Sequence, residues 1–189
     1  MNRRDLLKFA GGTLLNGALM SGVGVNMLPV ANATPAAPAR ALEARRLAFL
    51  NTHTGDRFND AYWEHGAYIP HAITAINHVM RDHRSGESHA IDLRLLEQLH
   101  RLNGAVGAVQ PFQIISGYRS PATNATLAAN SNGVATRSLH MDGRAIDIRV
   151  GGVALTRLRD AALDLQSGGV GYYEASDFIH IDTGRVRRW

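Results

Sequence analysis

Apolar residues recur along the chain with two different periods, one typical of strands and the other of helices. Short runs with alternating or β-branched residues predict six strands, at residues 46–54, 57–69, 112–116, 145–150, 170–173 and 178–182. Apolar residues spaced three and four apart predict four helices, at 71–84, 92–99, 124–130 and 155–165. Since helices precede and separate strands that hairpins can join, the pattern predicts an α+β fold. We expect a small central antiparallel sheet flanked by helices.

The first 33 residues have a pattern of their own. Paired arginines, Arg3 and Arg4, precede an apolar run from residue 9 to 28, and the small-x-small sequence at 31–33 closes it. This architecture predicts a twin-arginine signal peptide at 1–33, recognised by the twin-arginine export machinery and cleaved in the periplasm. The alternative is an N-terminal membrane anchor, but five glycines and Asn16 interrupt the run. We expect no stable membrane insertion once the signal is removed.

A Pro- and Ala-rich linker at 34–44 then leads into the predicted domain at 45–189, a length that supports one ordinary core. Without the signal, the chain has 17 basic and 15 acidic residues, and every basic residue is arginine. No basic block or stripe is present, so nucleic-acid binding is not supported. The chain has no cysteine, so any metal must be held by histidine and carboxylate side chains.

Three residues near the end of the chain could hold such a metal. Asp147 alternates with the apolar residues of one predicted strand, and His180 with those of another, so both point away from the core face. His140 precedes the strand that carries Asp147, and Gly143 permits a turn between His140 and that strand. Two histidines and one carboxylate on rigid elements suit a catalytic zinc site, which keeps a fourth position for water. Buried histidine and aspartate in strands are, however, more often structural.

Several motifs in the right order resemble a known peptidase group. Ser138–x–His140–x–x–Gly–x–Ala–x–Asp147 with a later histidine is similar to the zinc D-Ala-D-Ala carboxypeptidase/hedgehog-like group. The segments at 116–121, 169–173, 178–184 and 187–189 resemble more closely the twin-arginine-exported murein endopeptidases of that group. The resemblance spans residues 45–189. It implies a fold like that of the hedgehog domain and the D-Ala-D-Ala peptidases.

The resemblance also implies an activity and a set of site residues. The expected activity is zinc-dependent hydrolysis of the peptide cross-links of peptidoglycan, with its stem peptides as substrate and His140, Asp147 and His180 as Zn²⁺ ligands. Arg119 falls where relatives have an active-site arginine, and it would bind a substrate carboxylate or the developing oxyanion. The alternative for Arg119 is a surface position in a turn.

The general base has two candidate positions close to the last histidine. Relatives have a glutamate three residues before the last histidine ligand or a histidine two residues before it, where this chain has Asp177 and Phe178. Asp177 is either a shorter base or only the start of a strand. Asp182 either orients an imidazole or belongs to a turn. The rival functions are a non-catalytic peptidoglycan-binding module with a structural metal and a D,D-carboxypeptidase.

Overall fold

The structure is a computed structural model that describes residues 43–130 and 135–189. The predicted signal at 1–33 and nearly all of the predicted linker lie outside the described residues. Within the described part of the chain, no helix is long and apolar enough to cross a membrane.

The described residues form one mixed sheet and four α-helices, an α+β fold as the sequence predicts. The strands are β1 (Arg45–Asn51), β2 (Arg57–Glu64), β3 (Ala67–Tyr68), β4 (Phe112–Ser116), β5 (Ala145–Val150), β6 (Gly169–Tyr173), β7 (Phe178–Asp182) and β8 (Arg187–Arg188). The helices are α1 (Pro70–Val79), α2 (Leu93–Val106), α3 (Pro121–Ala129) and α4 (Leu155–Asp164).

The prediction of a small antiparallel sheet is wrong in size and partly wrong in strand direction. Eight strands pair in the order β3-β2-β1-β4-β5-β7-β6-β8 across the described residues. Two of the pairings, β1 with β4 and β6 with β8, are parallel. Between β1 and β4 the chain runs through β2, β3, α1 and α2, so it returns to lie parallel to β1 rather than turning back in a hairpin. Strand β8 has only two residues, which is too short for an alternation of apolar and polar residues to predict it.

Helix ends differ from the prediction where capping or burial overrides the spacing. Helix α3 begins three residues earlier than expected, because Pro121 occupies its first turn and the Ser120 side chain accepts a hydrogen bond from the Thr123 amide. Helix α2 runs on to Val106, since Leu102 and Val106 extend its buried stripe, and it ends at a left-handed Gly107. Helix α1 ends at Val79, five residues before the predicted end.

The two faces of strands β5 and β7 have different roles. Helix α4 packs against these strands, and Ile146, Ile148, Ile179 and Ile181 are fully buried in the core. Their side chains alternate with those of Asp147 and His180, which therefore lie on the opposite face. The fold thus uses one face of the central strands for the core and leaves the other for polar side chains.

Candidate metal centre

Strand pairing and a short helix bring the three predicted ligands together. Asp147 and His180 are direct partners in the antiparallel pairing of β5 with β7. His140 lies in a 3-10 helix, Leu139–Asp142, which ends at a left-handed Gly143 just before β5. A side chain at Gly143 would collide with the Ala90 carbonyl, because a Cβ there would lie 2.2 Å from that oxygen. Glycine therefore permits the turn that places His140 beside the sheet.

The potential ligand atoms are closely spaced. Asp147 Oδ1 lies 2.9 Å from His180 Nδ1 and 3.3 Å from His140 Nε2, and the two ring nitrogens are 3.2 Å apart. Ligands about 2.0–2.1 Å from a tetrahedral zinc ion stand roughly 3.3 Å from one another. The spacing of all three atoms therefore fits one ion of that size.

The outer hydrogen bonds fix which nitrogen of each histidine carries a proton. His140 Nδ1 lies 2.7 Å from the Gly117 carbonyl oxygen, which can only accept, so this nitrogen donates. His180 Nε2 lies 3.0 Å from Asp182 Oδ2 and donates to that carboxylate. When these imidazoles are neutral, His140 Nε2 and His180 Nδ1 hold unshared electron pairs. Two such nitrogens and a carboxylate oxygen converge on one point, and this arrangement suits a cation.

The charges around the cluster explain how it behaves without a metal. Burial alone would raise the pKa of Asp147, but the neighbouring His140 and His180 hold it well below its usual range. Burial lowers the pKa of His180, and the hydrogen bonds to Asp147 and Asp182 outweigh this effect, so it is raised overall. A proton can therefore lie between His180 Nδ1 and Asp147, and a metal bound at the same position would compete with it.

Asp182 orients His180 from outside the cluster. Its side chain is fully buried and contacts the far nitrogen of the His180 ring, so it is not a fourth ligand. The Gly169 and Gly184 amides and the Arg187 guanidinium also donate to it. These contacts keep the pKa of Asp182 well below normal, although burial opposes them. In the described part of the chain, three side chains form the candidate metal site, which leaves a coordination position open.

Arg119 reaches the same site through an irregularity in β4. Ile114 pairs with Ile148 but Ser116 pairs with Asp147, so β4 has an extra residue there, as in a β-bulge. Beyond the bulge, the Arg119 amide donates to the His140 carbonyl oxygen, and one of its terminal nitrogens lies 3.8 Å from Asp147 Oδ2. The Arg119 side chain is 11% exposed, and its Nε is buried with no hydrogen-bond partner among the described residues. Burial lowers the pKa of this guanidinium.

Asp177 is not brought to the cluster. It stands in a left-handed conformation just before β7, and its carboxylate is 65% exposed. Arg149 Nη1 donates to it at 3.0 Å. The depression that Asp177 lines with Gln113 and Arg149 does not include the three candidate ligands. To act on a substrate at the cluster, this carboxylate would have to leave Arg149.

An open pocket of about 300 Å³ lies over the cluster, and sequence reasoning missed part of its wall. Arg119, the three candidate ligands and Phe178 line it, together with Tyr173, Arg187 and Trp189. Tyr173 alternates with apolar positions like any strand residue, so nothing in the local pattern singled it out. The contact of Trp189 with the His180 ring, at 5.3 Å between centroids, depends on the pairing of β8 with β6.

Comparison with known proteins gives the same family throughout. A family model described as peptidoglycan L,D-endopeptidase MepK matches residues 39–189. The peptidoglycan L,D-endopeptidase MepK of Escherichia coli (strain K12) is 42% identical over 189 residues, which are all of this chain and 97% of that protein. The probable peptidoglycan L,D-endopeptidase MepK of Haemophilus influenzae is 38% identical over 146 residues, 77% of this chain and 78% of that protein.

Proposed function

Because the chain belongs to the family of the peptidoglycan L,D-endopeptidase MepK, we propose that it hydrolyses peptide cross-links of peptidoglycan at L,D bonds. In such a bond the carbonyl belongs to an L centre and the amine to a D centre. The observation that carries this proposal is the convergence of three electron-pair donors, from His140, Asp147 and His180, under an open pocket. The names of the relatives favour an endopeptidase over a carboxypeptidase.

Zinc is the proposed metal, held by His140 Nε2, His180 Nδ1 and an oxygen of Asp147. The spacing of these atoms and the histidine and carboxylate donor set support this choice. Bound there, zinc would supply Lewis-acid polarisation of the scissile carbonyl and a lower pKa for the attacking water. Asp182 holds the outer proton of His180 and so keeps the inner nitrogen free to bind.

Arg119 is the proposed anion-binding residue of the pocket. It lines the pocket, and its guanidinium is almost buried with one terminal nitrogen 3.8 Å from Asp147 Oδ2, so it would place a positive charge beside an incoming oxygen. That oxygen belongs either to a substrate carboxylate or to the carbonyl as it gains negative charge. Arg119→Ala should lower kcat about 100-fold in the second case. A rise in KM at constant kcat would indicate the carboxylate instead.

Asp177 stays a prediction for the proton acceptor. The role requires its carboxylate to leave Arg149 and swing towards the pocket when substrate binds. If Asp177 takes the proton, Asp177→Ala should lower kcat at least about 100-fold while the bound metal is retained. Full activity of that variant would identify Asp177 as a surface ion-pair partner.

We also propose where the protein acts. Its substrate lies in the periplasm, and the segment at 1–33 would direct export there through the twin-arginine machinery, leaving a linker at 34–44 and the domain at 45–189. Replacing both Arg3 and Arg4 with lysine should retain the precursor in the cytoplasm. Cell fractionation, with mass spectrometry of the exported N-terminus, tests both the route and cleavage after Ala33.

The deciding experiment uses purified protein and cross-linked muropeptide dimers with either L,D or D,D linkages. Mass spectrometry should show L,D dimers converted to monomers, with conversion abolished by a chelator and restored by zinc. His180→Ala should be inactive, whereas the exposed His71→Ala should match the wild type. A zinc-loaded protein that binds dimers without converting them would instead be a peptidoglycan-binding module.

A further inference from the structure

Tyr173 is a pocket residue to which the proposed function assigns no role. It pairs with Phe178 across β6 and β7, two positions from the Gly171–His180 pair, so its side chain shares the face that carries His180. Its ring stacks on that of Phe178, with 4.7 Å between centroids, and both residues line the pocket over the candidate ligands. A phenol is therefore held on the substrate side of the sheet.

The hydrogen bonding of Tyr173 leaves its proton available. Trp189 Nε1 lies 2.8 Å from the phenol oxygen, and an indole nitrogen can only donate. The phenol is therefore the acceptor in this contact, and its own O–H can point elsewhere. Among the residues that the structure describes, none accepts a hydrogen bond from that O–H. Tyr173 thus presents a donor to the pocket.

Trp189 keeps the phenol beside the cluster. Its indole lies over Gly171, where a Cβ would come within 2.7 Å of the ring, so the indole can pack this closely only against a glycine. The same indole stands 5.3 Å from the His180 imidazole between centroids. The Arg187 guanidinium lies 4.8 Å from the indole centroid and is itself bound to Asp182. The residue that orients Tyr173 is therefore tied to the carboxylate that orients His180.

We propose that Tyr173 is a catalytic residue whose O–H donates a hydrogen bond to the carbonyl oxygen of the scissile amide, and that Trp189 is its positioning residue. The inference rests on the proposed endopeptidase function. As water adds to the carbonyl carbon, the oxygen gains negative charge, and a preorganised neutral donor stabilises that charge more than it stabilises the substrate. No proton is transferred from Tyr173, so the phenol is unchanged after each turnover.

The test removes a single oxygen atom and compares two neighbouring tyrosines. Tyr173→Phe keeps the ring on Phe178 and deletes the donor. Removing one such donor from an enzyme typically costs about 10²–10³ in kcat, so we expect a loss of about 100-fold with KM nearly unchanged. Tyr172→Phe is the matched control, because Tyr172 lies on the opposite face under the Arg159 guanidinium. That variant should keep wild-type kcat.

Trp189→Phe tests the positioning role. It removes the indole N–H but leaves an aromatic ring over Gly171, and we expect kcat to fall about 10-fold. If Trp189 acts only through Tyr173, the double variant should be no slower than Tyr173→Phe alone. A purely structural role for Trp189 predicts a lower melting temperature and a loss that adds to that of Tyr173→Phe.

Both kinetic constants should be measured on full-length, zinc-loaded protein with an L,D-linked dimer, alongside melting temperature and zinc content. Wild-type kcat in a folded, zinc-loaded Tyr173→Phe would overturn the inference and leave the proposed function intact. A folded, zinc-loaded wild type that converts no dimer would overturn the proposed function, and the role of Tyr173 with it. A 100-fold loss of kcat in Tyr173→Phe, with wild-type kcat in Tyr172→Phe, would support both the inference and the proposed function.

Discussion

The pocket has two sides that are built in different ways. On one side, Asp147 and His180 stand opposite each other on paired strands, and the fully buried isoleucines that alternate with them fix their direction. On the other side, Arg119, Tyr173 and Trp189 reach the pocket from a bulged strand end, a strand end and a short edge strand. We refer to these as the strand side and the loop side.

The difference matches the two proposed roles, since the strand side would hold a cation and the loop side would contact the substrate. The strand side repeats a rigid two-residue period, and it places Asp147 Oδ1 2.9 Å from His180 Nδ1, within about half an ångström of the spacing expected around zinc. The loop side holds the almost buried Arg119 guanidinium and the Tyr173 O–H, which has no acceptor among the described residues. Such donors suit a charge that appears only during reaction. The following changes test this division, from the largest expected effect to the smallest.

Asp147→Asn should have the largest effect, because it removes the only negative charge among the three ligands. We expect at least a 1,000-fold loss of activity (~4 kcal/mol) and loss of stoichiometric zinc, measured by turnover and by metal analysis. Asp60→Asn, at a side chain that is 61% exposed, should change neither quantity. Zinc retained at wild-type affinity in Asp147→Asn would contradict the assignment of the strand side.

Asp182→Asn should have an intermediate effect, since it acts through His180. The amide can no longer pair with Arg187 or hold the His180 proton as a carboxylate does. Zinc affinity should fall about 10- to 100-fold, measured by competition with a chelator. Arg187→Lys keeps a positive charge but removes the two-nitrogen contact of the guanidinium with Asp182, so the loss of zinc affinity should be smaller than in Asp182→Asn. Equal losses in both variants would show that Arg187, rather than the carboxylate, orients His180.

Asp82→Asn tests the hydrogen bonds that hold the backbone beside Arg119, on the loop side. Asp82 is 1% exposed and accepts hydrogen bonds from the Ser120 and Arg84 amides, next to Arg119. Burial alone would raise its pKa, but the donors around it, Thr123, Ser120 and Arg84, lower it well below 3.8. The carboxylate therefore stabilises the fold above about pH 4, and this contribution is lost as the pH falls towards the folded-state pKa.

At neutral pH, Asp82→Asn should cost about 2 kcal/mol in the free energy of unfolding, measured with denaturant. The variant should also lose less stability than the wild type on acidification below pH 4. Identical acid dependence in the two proteins would mean that Asp82 is not ionised in the folded state.

Arg149→Ala should have the smallest effect. Its ion pair with Asp177 is largely exposed, and such pairs contribute less than about 1 kcal/mol. We expect a change in melting temperature of a few degrees at most and activity within about threefold of wild type. An increase in kcat would show that the freed Asp177 carboxylate reaches the pocket, which would place Asp177 on the loop side.

The sequence pattern predicts the direction of the strand-side residues, whereas on the loop side Arg119 comes only from the resemblance and Tyr173 and Trp189 are missed, for a physical reason. Alternation over 145–150 and 178–182 fixes which side chains leave the core, and β5 and β7 have those bounds in the structure. Sheet size and the parallel pairings depend on contacts between distant segments, which no local period encodes. The same holds for Trp189, which reaches His180 only because β8 adds to the edge at β6.

The role of Asp177 stays a prediction that rests on its position in the sequence. A left-handed backbone conformation and the nearby Arg149 guanidinium govern where its carboxylate lies, and no local pattern encodes either. For Asp182, the sequence leaves two alternatives open, a partner of an imidazole and a turn residue. In the structure its carboxylate contacts both the His180 ring and the Gly184 amide of the turn.

The position of Trp189 on the His180 ring also ties the pocket to the edge of the sheet. Arg187 and Trp189 line the pocket, and the pairing of the two-residue strand β8 with β6 holds them there. Short edge elements open at a lower free energy than buried strands, so this part of the wall can loosen while the core stays folded. We expect a variant that lacks residues 187–189 to lose more activity than melting temperature, which assays of turnover and thermal unfolding would compare. The integrity of the pocket is therefore separable from the stability of the fold.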